Sequence, residues 1–71
     1  NRTVAITREG RILLDGRETD MASLKSTLAH AISQYRDLAV DVRGDGDASF
    51  QRFTEVADAI RSAGVVRLNV M

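Results

Sequence analysis

The sequence has no cysteine, no surplus of charge of either sign and no long apolar run. Without cysteine the chain forms no disulfide and has no Cys/His set for a metal ion. Ten Lys and Arg residues balance ten Asp and Glu residues, which argues against a nucleic-acid partner and against a polybasic membrane patch. No apolar run approaches the roughly 20 residues of a transmembrane helix.

The length of 71 residues predicts a single domain, residues 1–71. A domain of this size buries only about 60% of the surface that its unfolded chain exposes, so a second copy would add useful stability. We therefore expect a homodimer. Because the sequence begins at Asn1 without a Met, we also expect a fragment of a longer protein, with any transmembrane helix outside it.

The second half of the chain predicts a strand, a loop, a helix and a strand. Apolar residues alternate over 38–43 and again over 65–71, as in strands with one buried face. Between them Ser49 or Asp47 can cap a helix, and Gly64 can end it in a left-handed conformation. The helix would bury residues at helical spacing: Phe53, Val56, Ala57, Ile60 and Ala63. Two strands joined by a helix are expected to lie parallel.

The first half predicts an antiparallel hairpin over residues 3–14, with its turn at Gly10. A second turn follows at Asp15–Gly16, and residues 17–19 lead into a helix of about 16 residues capped by Asp20. The apolar stripe of this helix comprises Met21, Leu24, Leu28, Ala31, Ile32 and Tyr35. The predicted fold class is α+β: a two-layer β-β-α-β-α-β sandwich, with two helices on one face of a mixed four-stranded sheet.

No group of residues predicts a catalytic, cofactor or metal site. Asp45, Asp47 and Ser49 imitate the start of a calcium loop, but Val56 occupies the position of its closing acid. We therefore interpret the Asp41, Asp45 and Asp47 region as turn and capping chemistry. His30, the only histidine, lies off the apolar stripe and is expected at the surface.

The strand over 65–71 is the candidate interaction element. At a sheet edge, either this strand or that over 11–14 would expose unpaired N–H and C=O groups and could accept a strand from another chain. The alternative is a strand paired on both sides.

Four segments of the sequence resemble the periplasmic domain of the ExbD/TolR biopolymer-transport family. The first two are ITREGRILLDGRE (6–18) and MASLKSTL (21–28). The others are LAVDVRGD (38–45) and, after an aromatic residue, FTEVADAIRSAGV (53–65). The sequence departs from the family pattern at Phe50, where a tyrosine is usual, and in its glycine- and acid-rich loop over 44–47.

The resemblance implies a non-enzymatic periplasmic domain of an inner-membrane-anchored protein. Such a domain works with an ExbB- or TolQ-like membrane protein that conducts protons and passes mechanical work to a TonB- or TolA-like periplasmic protein. Dimerisation and, in TolR-type members, peptidoglycan contact are implied too. We expect strand addition to bind the partner through the backbone of Arg67, Leu68, Asn69 and Val70. Because strand addition uses backbone groups, the side chains of Leu68 and Val70 are expected to contribute to the core as well. The alternative is a ferredoxin-like small-molecule regulatory module with a ligand at the 44–47 loop.

Overall fold

A computed structural model describes all 71 residues of the chain. It has α+β architecture with two helices and five strands. The strands are β1 (Arg2–Ile6), β2 (Ile12–Leu14), β3 (Arg17–Thr19), β4 (Ala39–Gly44) and β5 (Arg67–Val70). The helices are α1 (Met21–Gln34) and α2 (Phe50–Ser62). Neither helix has the length and apolar character that crossing a bilayer requires.

The strands form one mixed sheet in the order β3-β2-β1-β4-β5. The β1–β2 and β2–β3 pairs are antiparallel, whereas β4 lies parallel to both β1 and β5. The predicted hairpin over 3–14 and the parallel pair around α2 are therefore confirmed. The sheet aligns apolar residues of neighbouring strands on one face; for example, Val4 lies opposite both Leu14 and Val42.

The prediction of four strands is wrong, because residues 17–19 form β3 rather than a lead into the helix. Asp15 and Gly16 both have positive φ, 52° and 88°. A two-residue connection with two positive φ values matches the twist of a hairpin, so the chain folds directly back on β2. Leu14 thus lies opposite Arg17, and Asp15 is held by hydrogen bonds from Arg2 Nε and the Thr3 N–H.

Both helices cover the apolar face of the sheet. A single core cluster joins strand residues to Leu24 and Leu28 of α1 and to Val56 and Ile60 of α2. Its strand members are Val4, Ile6, Ile12, Leu14, Val40 and Val42. Other residues predicted for the core are only partly buried, at its margin, among them Met21, Ile32, Phe53, Ala63 and Leu68.

The helix ends follow the predicted capping residues, with one correction. Asp20 accepts a hydrogen bond from the Ser23 N–H at 2.7 Å, and Ser49 Oγ accepts one from the Arg52 N–H at 2.9 Å. The predicted apolar stripe of α1 includes one residue too many at its end, Tyr35. The helix stops at Gln34, and Tyr35 is an extended C-cap residue that is 70% exposed.

A candidate partner-binding edge

Strand β5 lies at one edge of the sheet and pairs only with β4. The other candidate, the strand over 11–14, is internal, because β3 covers its outer side. Of the two strands considered from sequence, only the C-terminal one has an open side.

The backbone of β5 presents its unpaired groups at alternate residues. The Met71 N–H donates to the Val42 carbonyl oxygen at 2.9 Å, so the backbone groups of Met71 face β4. Because these groups alternate in direction along an extended strand, those of Asn69 and Arg67 also face β4. The N–H and C=O groups of Leu68 and Val70 therefore point away from the sheet. An edge of this kind can add a further strand.

The side chains of β5 divide between the two faces of the sheet. Leu68 and Val70 lie beside Val40 and Val42, on the face that the helices cover. Only Leu68 packs on the core, whereas Val70 is 64% exposed and Val66, just before the strand, is 80% exposed. The expectation that Val70 contributes to the core is therefore wrong.

The opposite face of β5 is polar. Asn69 Nδ2 donates to Asp41 Oδ1 at 3.0 Å, and Arg67 Nη1 donates to the Asp37 carbonyl oxygen at 3.4 Å. These contacts hold the Asn69 side chain against the middle of β4 and the Arg67 side chain against the loop before β4, away from the open backbone groups. The edge thus has one apolar and one polar side, and neither side chain blocks the approach of another strand.

The opposite edge of the sheet is less suited to strand addition. Strand β3 has three residues, and its Arg17 and Glu18 are exposed. Glu18 lies 3.9 Å from Arg11 in an ion pair. Short, charged edge strands oppose pairing with other chains. The asymmetry between the two edges favours β5 as the interaction site.

The acidic loop after β4 is organised as a turn. Asp45 Oδ1 accepts a hydrogen bond from the Asp47 N–H at 3.0 Å, and the Asp45 N–H donates to the Ile6 carbonyl oxygen. Asp47 lies 3.4 Å from Arg8, and Asp41 is engaged by Asn69. No cluster of three or more His, Asp or Glu side chains could hold a metal ion. These contacts engage Asp45 within the turn itself, Asp47 with Arg8, and Asp41 with strand β5.

A groove of about 620 Å³ lies where α1 ends and β4 begins. His30 and Tyr35 line it together with Leu38 and Asp37. His30 is exposed, as predicted, and no polar or charged side chain anywhere in the chain is buried. The groove therefore lacks the desolvated titratable group that is typical of a catalytic pocket.

A comparison with protein families gives a match that covers almost the whole chain. The family described as biopolymer transport protein ExbD/TolR matches residues 2–71. No curated protein matches the chain. The members of this family are non-enzymatic proteins of energy transduction in transport. The resemblance seen in the sequence is confirmed, and the chain belongs to the ExbD/TolR family of biopolymer transport proteins.

Proposed function

We propose that residues 1–71 form the single periplasmic domain of an inner-membrane-anchored protein in a motor driven by the proton-motive force. Its membrane partner would be ExbB- or TolQ-like, and it would pass work to a TonB- or TolA-like protein for outer-membrane transport or envelope maintenance. The family match over residues 2–71 supports this proposal. The domain acts by binding, as a dimer, and peptidoglycan is a further ligand in a TolR-type role.

The binding site in this proposal is the open edge of β5. An extended segment of the periplasmic partner adds to the sheet beside Arg67, Leu68, Asn69 and Val70. The observation that carries the proposal is the row of outward backbone groups at Leu68 and Val70, on an edge without a blocking charge. Backbone hydrogen bonds supply affinity in this mode, and alternate side chains supply specificity.

A titration followed by NMR tests the proposal. The ¹⁵N-labelled chain is mixed with extended segments of a TonB- or TolA-like protein. We expect shifts in the amides of β5 and its flanks, above all Leu68 and Val70, whose N–H groups gain partners. No shifts at millimolar segment, or shifts confined to β3, would refute capture at β5.

Two lysine variants separate edge binding from non-specific apolar adhesion. Val70→Lys places a charge on the open edge, and we expect segment affinity to fall roughly tenfold. Phe50→Lys makes the same change at a residue that is 80% exposed but lies at the start of α2. We expect the Phe50→Lys variant to bind the segment with the same affinity as the unmodified chain. Equal losses in both variants would show that the segment does not bind by strand addition.

A further inference from the structure

We propose that the Asp45–Gly46 peptide, in the loop after β4, is a site of spontaneous succinimide formation, and that isoaspartate accumulates there as the protein ages. The chain has two Asp-Gly dipeptides, Asp15–Gly16 and Asp45–Gly46. In both, glycine leaves the backbone nitrogen after the aspartate without a side chain beside it, so other groups can approach closely. Their surroundings in the fold separate them. This inference needs no partner and is independent of strand addition at β5.

The reaction joins two groups of the chain and releases one water molecule. The Gly46 amide nitrogen attacks Cγ of the protonated Asp45 carboxyl group, and an N–Cγ bond forms. One carboxyl oxygen leaves as water with the amide proton and the proton of the acid, so that a cyclic imide remains. Water then opens the ring. Cleavage of the N–Cγ bond restores aspartate, whereas cleavage between the nitrogen and the α-carbonyl carbon leaves isoaspartate.

The Asp45 side chain is folded back toward the nitrogen that attacks it. Its Oδ1 accepts a hydrogen bond from the Asp47 N–H at 3.0 Å. An aspartate that binds the N–H two residues on keeps its carboxyl group beside the intervening peptide, here that of Gly46. The Asp47 N–H also points at an oxygen on which negative charge develops during the attack. The other carboxyl oxygen, which leaves, makes no hydrogen bond or ion pair.

Little backbone structure resists closure of the ring. Residues 46–48 make one backbone hydrogen bond, from the Ala48 N–H to the Asp45 carbonyl oxygen at 2.9 Å. Gly46 is exposed, and a Cβ placed on it would have open space around it. Its N–H donates to no backbone carbonyl. The peptide can therefore rotate into the conformation of the ring with the loss of a single backbone bond.

Asp15 is held in the opposite way. Both of its carboxylate oxygens accept hydrogen bonds from β1, one from Arg2 Nε and one from the Thr3 N–H. Burial acts to raise the pKa of Asp15, but these bonds lower it on balance, which depletes the protonated acid that can lose water. Asp15 and Gly16 also form the whole connection between β2 and β3, so rotation of their peptide would disrupt that hairpin.

Isoaspartate at this position alters the connection between β4 and α2. The modified residue adds one methylene to the backbone and carries the former α-carboxylate as its side chain. Ala48, three residues on, packs against the core cluster, and Ser49 caps α2. We therefore expect the aged protein to show shifted amide signals for residues 46–49. The signals of residues 67–70, in β5, should not move.

Peptide mapping of the unmodified chain tests the proposal. The chain is incubated at neutral pH in buffer and, in parallel, unfolded in urea. Trypsin then releases residues 12–17 and 44–52, each with one Asp-Gly dipeptide, because it cleaves after arginine. Chromatography separates the isoaspartate forms, and fragmentation in the mass spectrometer locates them. Incubation continues until the unfolded sample shows conversion in both peptides.

We expect comparable rates at the two sites in urea, where neither aspartate is held. In the folded chain isoaspartate should form at least about tenfold faster at Asp45 than at Asp15, since breaking the hydrogen bonds of Asp15 adds to its barrier. Equal rates in the folded chain, or a faster rate at Asp15, would overturn the proposal. Conversion at Asp45 only in urea would overturn it as well, because the fold would then protect both sites.

Two variants test the cause of the difference. Gly46→Ala places a methyl group beside the attacking nitrogen, and isoaspartate at Asp45 should form several-fold more slowly while the chain still melts cooperatively. Arg2→Ala releases one oxygen of the Asp15 carboxylate and should raise the rate at Asp15 alone. A rate at Asp45 that Gly46→Ala leaves unchanged would show that the Gly46 nitrogen is not the nucleophile.

Discussion

Arg52 of α2 donates a hydrogen bond from Nε to the carbonyl oxygen of Gly10, in the β1–β2 turn, at 2.9 Å. The two residues are 42 positions apart in sequence, and the contact is partly buried. The Arg52 guanidinium also lies 3.2 Å from Glu55 Oε1 in the next turn of the helix. Arg52 thus connects the start of α2 to the far end of the antiparallel hairpin.

Replacing Arg52 by alanine should lower the free energy of unfolding by about 1–2 kcal/mol, since the variant loses a charge-assisted hydrogen bond. Arg61→Ala removes an arginine from the last turn of the same helix, where the residue is exposed. It should change stability by less than about 0.5 kcal/mol. Urea denaturation of both variants measures the difference, and equal losses would mean that the Gly10 contact contributes nothing.

Leu28→Asp should abolish the folded state. Leu28 is fully buried in the core cluster, and an unpaired carboxylate there costs several kcal/mol. A single hydrophobic core in a domain of this size rarely supplies more than about 5 kcal/mol of stability. Ser26→Asp adds the same charge at an exposed position of α1 and should melt cooperatively. Cooperative melting of Leu28→Asp itself would contradict the packing of α1.

Two carboxyl groups have lowered pKa values. Burial alone would raise the pKa of Asp15, but the hydrogen bonds from the Thr3 N–H and from Arg2 outweigh it and lower the pKa below 3.8. Hydrogen bonds from the backbone and side chain of Ser23 lower the pKa of Asp20 in the same way. In both cases the folded chain favours the ionised form.

Stability should therefore fall in acid. A group whose pKa is lower when folded contributes stability above its unfolded value, near 3.8. That contribution is lost as the pH falls through 3.8 toward the folded value, because the unfolded chain binds more protons. Melting temperatures should be level above about pH 5 and decline below about pH 4. The double variant Asp15→Asn/Asp20→Asn should decline less, and an identical decline would exclude these two residues as the cause.

The missed strand β3 shows what periodicity alone cannot detect. Residues 17–19 have no apolar alternation, because one face of this edge strand carries Glu18 and the other is barely covered. The Asp15–Gly16 turn was the available signal, since this dipeptide favours the two positive φ values of a tight hairpin. If the turn is interpreted only as the end of β2, nothing predicts that the residues after it fold back and pair with β2.

The end of α1 and the burial of the β5 side chains could not be predicted for a different reason, because the sequence carries no signal for either. Tyr35 continues the helical spacing, yet no glycine or proline marks where the chain leaves the helix. In β5, Leu68 and Val70 look equivalent in sequence. Their burial differs only because the helices and the core cover Leu68 but not Val70 on this edge strand, so that Leu68 is packed and Val70 is exposed. The edge itself follows from strand order, which alternation of apolar residues does not encode.

Gly64 and Gly46 provide a matched pair for the last prediction, because both are glycines in loops beside α2. Gly64 has φ +106° after the end of the helix, whereas Gly46 has no positive φ and open space around it. A Cβ at Gly64 would lie 3.5 Å from Ile32 Cγ2, which is an ordinary contact. Any loss in Gly64→Ala therefore comes from backbone strain rather than from a clash.

We expect Gly64→Ala to lose about 1 kcal/mol or more of the free energy of unfolding, since L-residues rarely adopt this conformation. Gly46→Ala should be neutral or stabilising by up to about 1 kcal/mol, because alanine restricts only the unfolded chain. Urea denaturation with an unchanged m value gives both differences. If Gly46→Ala were as damaging as Gly64→Ala, the loss would belong to loop flexibility in general. The left-handed conformation of Gly64 would then not be what directs the chain from the end of α2 to the start of β5.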